Sequence, residues 1–484
     1  MNYPFKNLEP ISVWEHFYDI TQVPRPSKKE EKIRQFLIDF AIKHHLEYKT
    51  DEVGNVLILK KASLGYENGP VVVLQSHMDM VCEKNQKTKF DFDQDAIQAW
   101  VDGEWVKAKG TTLGSDDGIG MAAAMAVLTA SNLNHPRIEA LFTMDEETGL
   151  TGAFGLKNDF LQGRILLNLD SEDEGEIFIG CAGGRDTIAT LKIEKYAVNQ
   201  NLIPIKLEVK GLLGGHSGDD INKGLANANK LLIRILFEAH QQFAVQLHSI
   251  DGGNLRNAIA REASAIIFID PHQLENLKKL SSQYGITFKK EYHLTEPNIE
   301  VVLSETTALF EAIDEQQFIK SMQAIYACPH GVLAMSQDIA GFVETSTNLA
   351  SIKIKGDSLV FTTSQRSSVA SALDDACRMV NSTFSLIGAQ VIHSDGYPGW
   401  TPNPKSKILK TSVESYEFLF KKTPKVLAIH AGLECGLIGE KYEGIDMISI
   451  GPTIKGAHSP DERLKIETVQ MFWDHLVDIL KRLK

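Results

Sequence analysis

Four short apolar runs, at residues 71–74, 138–143, 165–169 and 445–450, each lead into a carboxylate or an imidazole. This recurrence limits the fold more than any other feature of the chain. The first run continues into Gln75, Ser76, His77, Met78 and Asp79, the second into Met144, Asp145, Glu146 and Glu147, and the third into Asp170. The fourth leads through Gly451 and Pro452 to His458, and a glycine-bounded loop at 110–120 carries Asp116 and Asp117 into a small-residue helix at 120–131. Strands separated by helices imply a largely parallel sheet covered by helices. In such sheets the carboxyl edge of the strands is where sites form. A solvated acidic loop explains any one of these segments, but not all five at one edge.

From about residue 185 the pattern changes. Residues 204–210 alternate apolar and polar, a glycine-rich loop follows, 225–243 has helical periodicity, and 263–269 is again strand-like. A similar order recurs over 299–391, with a strand at 358–364 and a helix at 369–386, so the segment reads as an α+β unit of two similar halves. Its alternation predicts antiparallel sheet with one covered face. After the turn-rich stretch 395–404 the α/β pattern returns and closes on an amphipathic helix at 466–481. The expected organisation is a discontinuous α/β domain, 1–185 and 397–484, interrupted by a second domain at 186–396.

The 484 residues include 43% hydrophobic and 23% charged residues, which suits a fully folded chain. With 50 Lys and Arg against 63 Asp and Glu, the formal charge is −13. A phosphate backbone repels such a surface, so no nucleic-acid partner is expected. No apolar run nears the roughly 20 residues that span a bilayer, so no membrane partner is expected either. Residues 1–10 lack the apolar stretch of a secretory signal. Five scattered cysteines without a Cys-x-x-Cys pair read as a reducing, cytoplasmic setting with no disulfides or thiolate metal sites.

The donors gathered at the sheet edge are imidazoles and carboxylates, a set that suits zinc, manganese or cobalt rather than calcium or an iron–sulfur cluster. Histidines at both ends of the list suggest two cations. Asp116 would bridge them, His77 and Asp170 would complete one position, and Glu147 and His458 the other. Three carboxylates leave two divalent cations incompletely neutralised, which favours ionised water at neutral pH. The adjacent side chains of Glu146 and Glu147 point in different directions, so one binds metal and the other accepts a proton. Asp79, two residues from His77, is placed to hydrogen-bond the second ring nitrogen of that ligand.

At Ser76-His77-Met78-Asp79-Met80, Gly114-Ser115-Asp116-Asp117-Gly118-Ile119-Gly120, Asp145-Glu146-Glu147-Thr148-Gly149, Asn168-Leu169-Asp170 and Ala457-His458-Ser459-Pro460 the sequence resembles the co-catalytic dizinc peptidases of the carnosinase and carboxypeptidase-G type. The resemblance spans essentially the whole chain. It implies an α/β zinc-peptidase catalytic domain with a mixed, mainly parallel sheet, interrupted by an inserted α+β lid. It implies the same five ligands, Glu146 as general base, Asp79 as orienting partner, and a cis peptide between Asp116 and Asp117. It implies that His216, in Gly214-Gly215-His216-Ser217-Gly218, helps bind substrate near the scissile carbonyl. Asn257 and Arg366 resemble lid residues that contact the carboxylate end of the peptide, and a guanidinium suits that task. Gly432 resembles a contact to the substrate backbone. The implied activity is hydrolysis of small, unblocked dipeptides, Xaa-His and carnosine-like ones included, with two Zn2+ per chain, Co2+ or Mn2+ as substitutes, and a homodimer paired through the lid. A tripeptidase, an N-acyl amino acid amidohydrolase, and a non-catalytic metal-binding scaffold are the alternatives.

Overall fold

The computed structural model describes residues 3–484. The chain divides into two compact units, the first made of Met1–Gly180, Trp400–Ala428 and Leu433–Lys484, the second of Cys181–Gly399 and Ile429–Gly432. The short return at Ile429–Gly432 has no counterpart in the sequence-based boundaries. It joins the second unit because the Ala182 amide donates to the carbonyls of Ile429 and Ala431, at 3.0 and 3.1 Å.

The first unit is built on an eight-stranded sheet, in the order Glu47–Thr50, Val56–Lys60, Ile138–Thr143, Val72–His77, Ile165–Asn168, Asp446–Ser449, Glu176–Cys181, Lys425–Ile429. The sheet is mixed, as expected, and the four central strands from Ile138–Thr143 to Asp446–Ser449 pair parallel. Antiparallel partners flank them. Every residue of Val72–His77 and of Ile138–Thr143 is buried, as central strands covered on both faces require. The helix Ser115–Thr129 packs on Val72–His77 and on the helix Ile11–Thr21. Its run of glycine, alanine and methionine is buried almost all round, so it has no polar face to turn to solvent. The helix Ile466–Arg482 packs against Lys407–Phe420 and buries Val469, Phe472, Leu476 and Ile479, the spacing of one helical face.

A second, smaller sheet in this unit runs Ile454–Lys455, Arg463–Lys465, Trp105–Ala108, Ala99–Asp102. Its first two strands pair antiparallel, with Ile454 opposite Leu464. The loop between them carries His458. The imidazole is therefore delivered by this hairpin and not directly by the end of Asp446–Ser449, as the linear pattern suggested.

The second unit has one nine-stranded sheet with all pairs antiparallel, running from Glu300–Glu305 through Ile203–Lys210, Ala263–Ile269, Gln246–Gly252, Val343–Lys355, Ser358–Ser367 and Gly183–Lys192 to Gln390–His393. Gly331–Met335 pairs beside Val343–Lys355. The two halves read from the sequence are thus parts of a single continuous sheet. In Ile203–Lys210 the residues Ile205, Leu207 and Val209 face the core while Lys206, Glu208 and Lys210 face away. The helix expected from residue 225 starts at Ala228, because Asn227 accepts hydrogen bonds from the Asn229 and Lys230 amides at 3.0 and 3.4 Å and acts as its cap.

Candidate active site

Three neighbouring parallel strands set the first donors. His77 closes Val72–His77, Asp170 lies two residues past Ile165–Asn168, and Glu146 and Glu147 open the short helix that follows Ile138–Thr143. Asp116 lies in the first turn of Ser115–Thr129, where Asp116 and Asp117 depart from helical geometry and the peptide between them is cis. With His458 from the hairpin loop, donors from five chain segments converge.

His77 Nε2 lies 3.1 Å from Asp116 Oδ1 and 3.4 Å from Asp170 Oδ1. His458 Nε2 lies 3.1 Å from Asp116 Oδ2 and 3.0 Å from Glu147 Oε2. The two oxygens of Asp116 thus face two different imidazoles, each in the company of one further carboxylate. Donor atoms about 3.3 Å apart are the edges of a tetrahedron with bonds of about 2.0–2.1 Å, the usual zinc distances to nitrogen and oxygen. Glu147 Oε1 is buried with no hydrogen-bond partner among the described residues. An orphaned buried acceptor, two imidazole nitrogens and three convergent carboxylates fit a pair of divalent cations. Ligand-capable atoms of His77, Glu146 and Glu147 also lie within 4.8 Å of one another, so Glu146 adjoins the same donors.

The electrostatics show why this group needs cations. Burial, reinforced by neighbouring carboxylates, pushes the Asp117, Asp170 and Glu146 carboxyls well above the usual range. Burial opposes the charged form of His77, yet Asp170, Asp116 and Asp79 outweigh it and hold this imidazole well above its ordinary value. Hydrogen bonds to Asp116 and Glu147 push His458 up to about 11. The acidic cluster favours the protonated form of both imidazoles, and each ring would have to release a proton to serve as a metal ligand.

Asp79 does more than its spacing suggested. Its Oδ1 lies 3.3 Å from His77 Nδ1, and its carboxylate also accepts the Glu146 amide at 3.0 Å, the Glu147 amide at 3.3 Å and the Ser27 hydroxyl at 2.7 Å. One carboxylate therefore orients the ring of His77 and fixes the backbone that carries both glutamates. Burial works against its ionisation, but the His77 contact and these hydrogen bonds hold it down at about 2.

Several residues at this site carry no signal in the linear sequence. Arg25, buried, donates to the carbonyls of Met78 at 3.1 Å, Asp79 at 2.5 Å and Gly114, tying the His77 and Asp116 loops together. Beneath these donors, Asn168 donates to Gln75 at 2.6 Å, Gln75 to Glu434 at 2.6 Å, and Thr143 to the same Glu434 oxygen at 2.7 Å. This buried chain of side chains links the three strands that lead into the donors, and burial lifts Glu434 to about 7. Gly114 has φ +69°, and a Cβ there would meet Arg25 Nη2 at 2.7 Å and Met80 Sδ at 2.9 Å. Gly114→Ala is expected to cost about 2–4 kcal/mol, the sum of a left-handed alanine and an overpacked buried contact. Urea unfolding measures it, and an unshifted midpoint would mean that the loop has room to adjust.

The remaining expected residues lie in the second unit. The loop of His216 pairs with the loop of Asn257 through a bridge between His216 and Ala258 and through the Ser217 amide, which donates to the Asn257 carbonyl at 2.8 Å. Both residues line a cavity of about 810 Å³. His216 Nδ1 accepts the Asp219 amide at 3.3 Å. Arg366, buried on Ser358–Ser367, donates through Nη1 to the Tyr397 hydroxyl at 3.2 Å, while its Nε has no partner among the described residues. Tyr397 in turn abuts Gly432, where a Cβ would meet the ring at 2.7 Å. Tyr397 is a neighbour of two expected substrate contacts that sequence reasoning did not find.

The profile of peptidase family M20/M25/M40 matches residues 73–482, and the chain belongs to that family. Among its curated relatives, the cytosol non-specific dipeptidase of Escherichia coli is 43% identical over 98% of this chain and 98% of its own. A solved structure, the aminoacylhistidine dipeptidase of Vibrio alginolyticus, superposes with a TM-score of 0.94 at 43% identity, covering 99% of this chain and 98% of the other. A tripeptidase from Staphylococcus aureus shares the fold alone, with a TM-score of 0.56 at 15% identity over 98% of this chain and 99% of that one.

Proposed function

We propose that this chain is a cytoplasmic metallo-dipeptidase that hydrolyses unblocked dipeptides, Xaa-His among them, with two Zn2+ per chain that Co2+ or Mn2+ can replace. The observation that carries the reading is the division of Asp116 between two imidazoles, each paired with a further carboxylate, in a chain related end to end to two dipeptidases. On this reading His77 and Asp170 would hold one cation, Glu147 and His458 the other, and Asp116 would serve both. The cations supply Lewis acidity toward the scissile carbonyl and lower the pKa of water.

The protein side chains do the rest. Glu146, which adjoins the donor atoms of His77 and Glu147, takes the proton of the attacking water and returns it to the departing amine. Asp79 keeps the His77 ring and the Glu146 backbone fixed while that proton moves. The His216 imidazole would donate to the carbonyl oxygen as negative charge develops there. Asn257 and Arg366 hold the substrate carboxylate, Gly432 leaves room for the peptide backbone, and pairing of two chains through their lids completes the assembly.

A kcat/KM survey over Xaa-His and Xaa-Leu dipeptides, tripeptides and N-acyl amino acids on metal-quantified protein tests this reading. Dipeptides are expected to lead, and dipeptide amides and the Arg366→Met variant are each expected to lose about 10²-fold or more, the cost of an unpaired buried charge. Equal rates on N-acyl amino acids or tripeptides would replace the dipeptidase reading with an amidohydrolase or tripeptidase one. Equal rates on acids and amides would remove Arg366 from its role.

A further inference from the structure

The loop that carries His458 also carries Glu462, and this buried carboxylate is spent wholly on the loop of Asp116. Glu462 Oε2 accepts the amides of Leu113 at 2.7 Å and Gly114 at 3.0 Å. Its Oε1 accepts the Ser115 amide at 2.7 Å, the Ser115 hydroxyl at 2.6 Å and, at 3.4 Å, the Asp116 amide. Glu462 is 2% exposed. The amides it takes are those at the start of Ser115–Thr129, which has no side-chain cap of its own, so a residue 347 positions away in the chain does the capping. Within its own loop, the Glu462 amide donates to the Ser459 carbonyl at 3.0 Å, next to His458. Gly114 is gripped from both ends, its amide by Glu462 and its carbonyl by Arg25.

We propose that Glu462 is a positioning residue that locks the His458 hairpin to the Asp116 loop and so sets the affinity for the cation shared by Asp116, Glu147 and His458. This inference rests on the dinuclear reading above. Of the two cation positions, only this one joins the two segments that Glu462 couples. The other is built on His77 and Asp170, whose parallel strands are fixed to each other through Gln75 and Asn168. Loss of the Glu462 carboxylate therefore acts on one position far more than on its neighbour.

The test is stepwise metal binding to the metal-stripped full chain, followed by competition with a chromophoric chelator and by the visible spectrum of added Co2+. Glu462→Gln presents an amide NH2 to backbone donors. It is expected to weaken one of the two steps at least 10-fold while the other stays within about 3-fold, and to reduce the Co2+ absorbance of the affected equivalent. Ser115→Ala removes only one of the hydrogen bonds, keeps the cap, and is expected to shift the same step in the same direction by a smaller factor. It keeps the test decisive if the first variant folds poorly. Two unchanged steps, or two steps weakened by the same factor, would overturn the proposal. A wild-type chain that binds no cation would instead overturn the dinuclear reading itself.

Discussion

Glu146→Gln is expected to retain both cations at wild-type affinity and to lose about 10²–10⁴-fold in kcat, the range that a positioned general base contributes. The amide keeps the shape of the side chain and its backbone remains held by Asp79, through the Glu146 amide at 3.0 Å. What disappears is the ability to take up and return a proton. Because Glu146 also lies near His77 and Glu147, a different role as a ligand makes a different forecast, the loss of one metal equivalent. Metal content by atomic emission, measured on the same sample as kcat, separates the two. Undiminished turnover would remove Glu146 from proton transfer, and a missing cation would make it a ligand.

Chelation to verified zero metal content is expected to lower activity at least 10³-fold and to lower the thermal unfolding temperature, both recovering when zinc, cobalt or manganese is returned. The stability change follows from binding to the folded state alone, and a ligand at about a thousand times its Kd contributes about 4 kcal/mol. Its structural source is the crowd of Asp116, Asp117, Glu146, Glu147 and Asp170, several of whose carboxyls are pushed upward by burial and by one another. Undiminished activity in demonstrably metal-free protein would end the metallopeptidase reading, and an unchanged unfolding temperature would mean that the cluster is compensated by the chain alone.

The elements legible in the sequence are those whose stability is local. The strand Ile138–Thr143 is apolar along most of its length, and the periodicity of Ile466–Arg482 survives into its packing. Val72–His77 reads short because Gln75, Ser76 and His77 are polar and yet buried. The partners that make Gln75 tolerable there, Glu434 and Asn168, lie elsewhere in the chain. The helix after Asp116 reads five residues late for the same reason. Glycines and aspartates at its start suggest a loop, and the carboxylate that caps them comes from Glu462. The donors themselves were readable because five separate segments each carry a carboxylate or an imidazole toward one sheet edge, a recurrence that solvated loops do not explain. The groups that hold them, Arg25, Glu434 and Glu462, look like ordinary charged residues until the fold brings them in.

The hairpin between Ile454–Lys455 and Arg463–Lys465 brings in His458, the last of the expected ligands along the chain. On the proposed reading, a chain still on the ribosome that has already made His77, Asp116, Glu147 and Asp170 would lack the last donor of one cation position. Hydrolytic competence would then wait for the closing hairpin, late in synthesis of the chain.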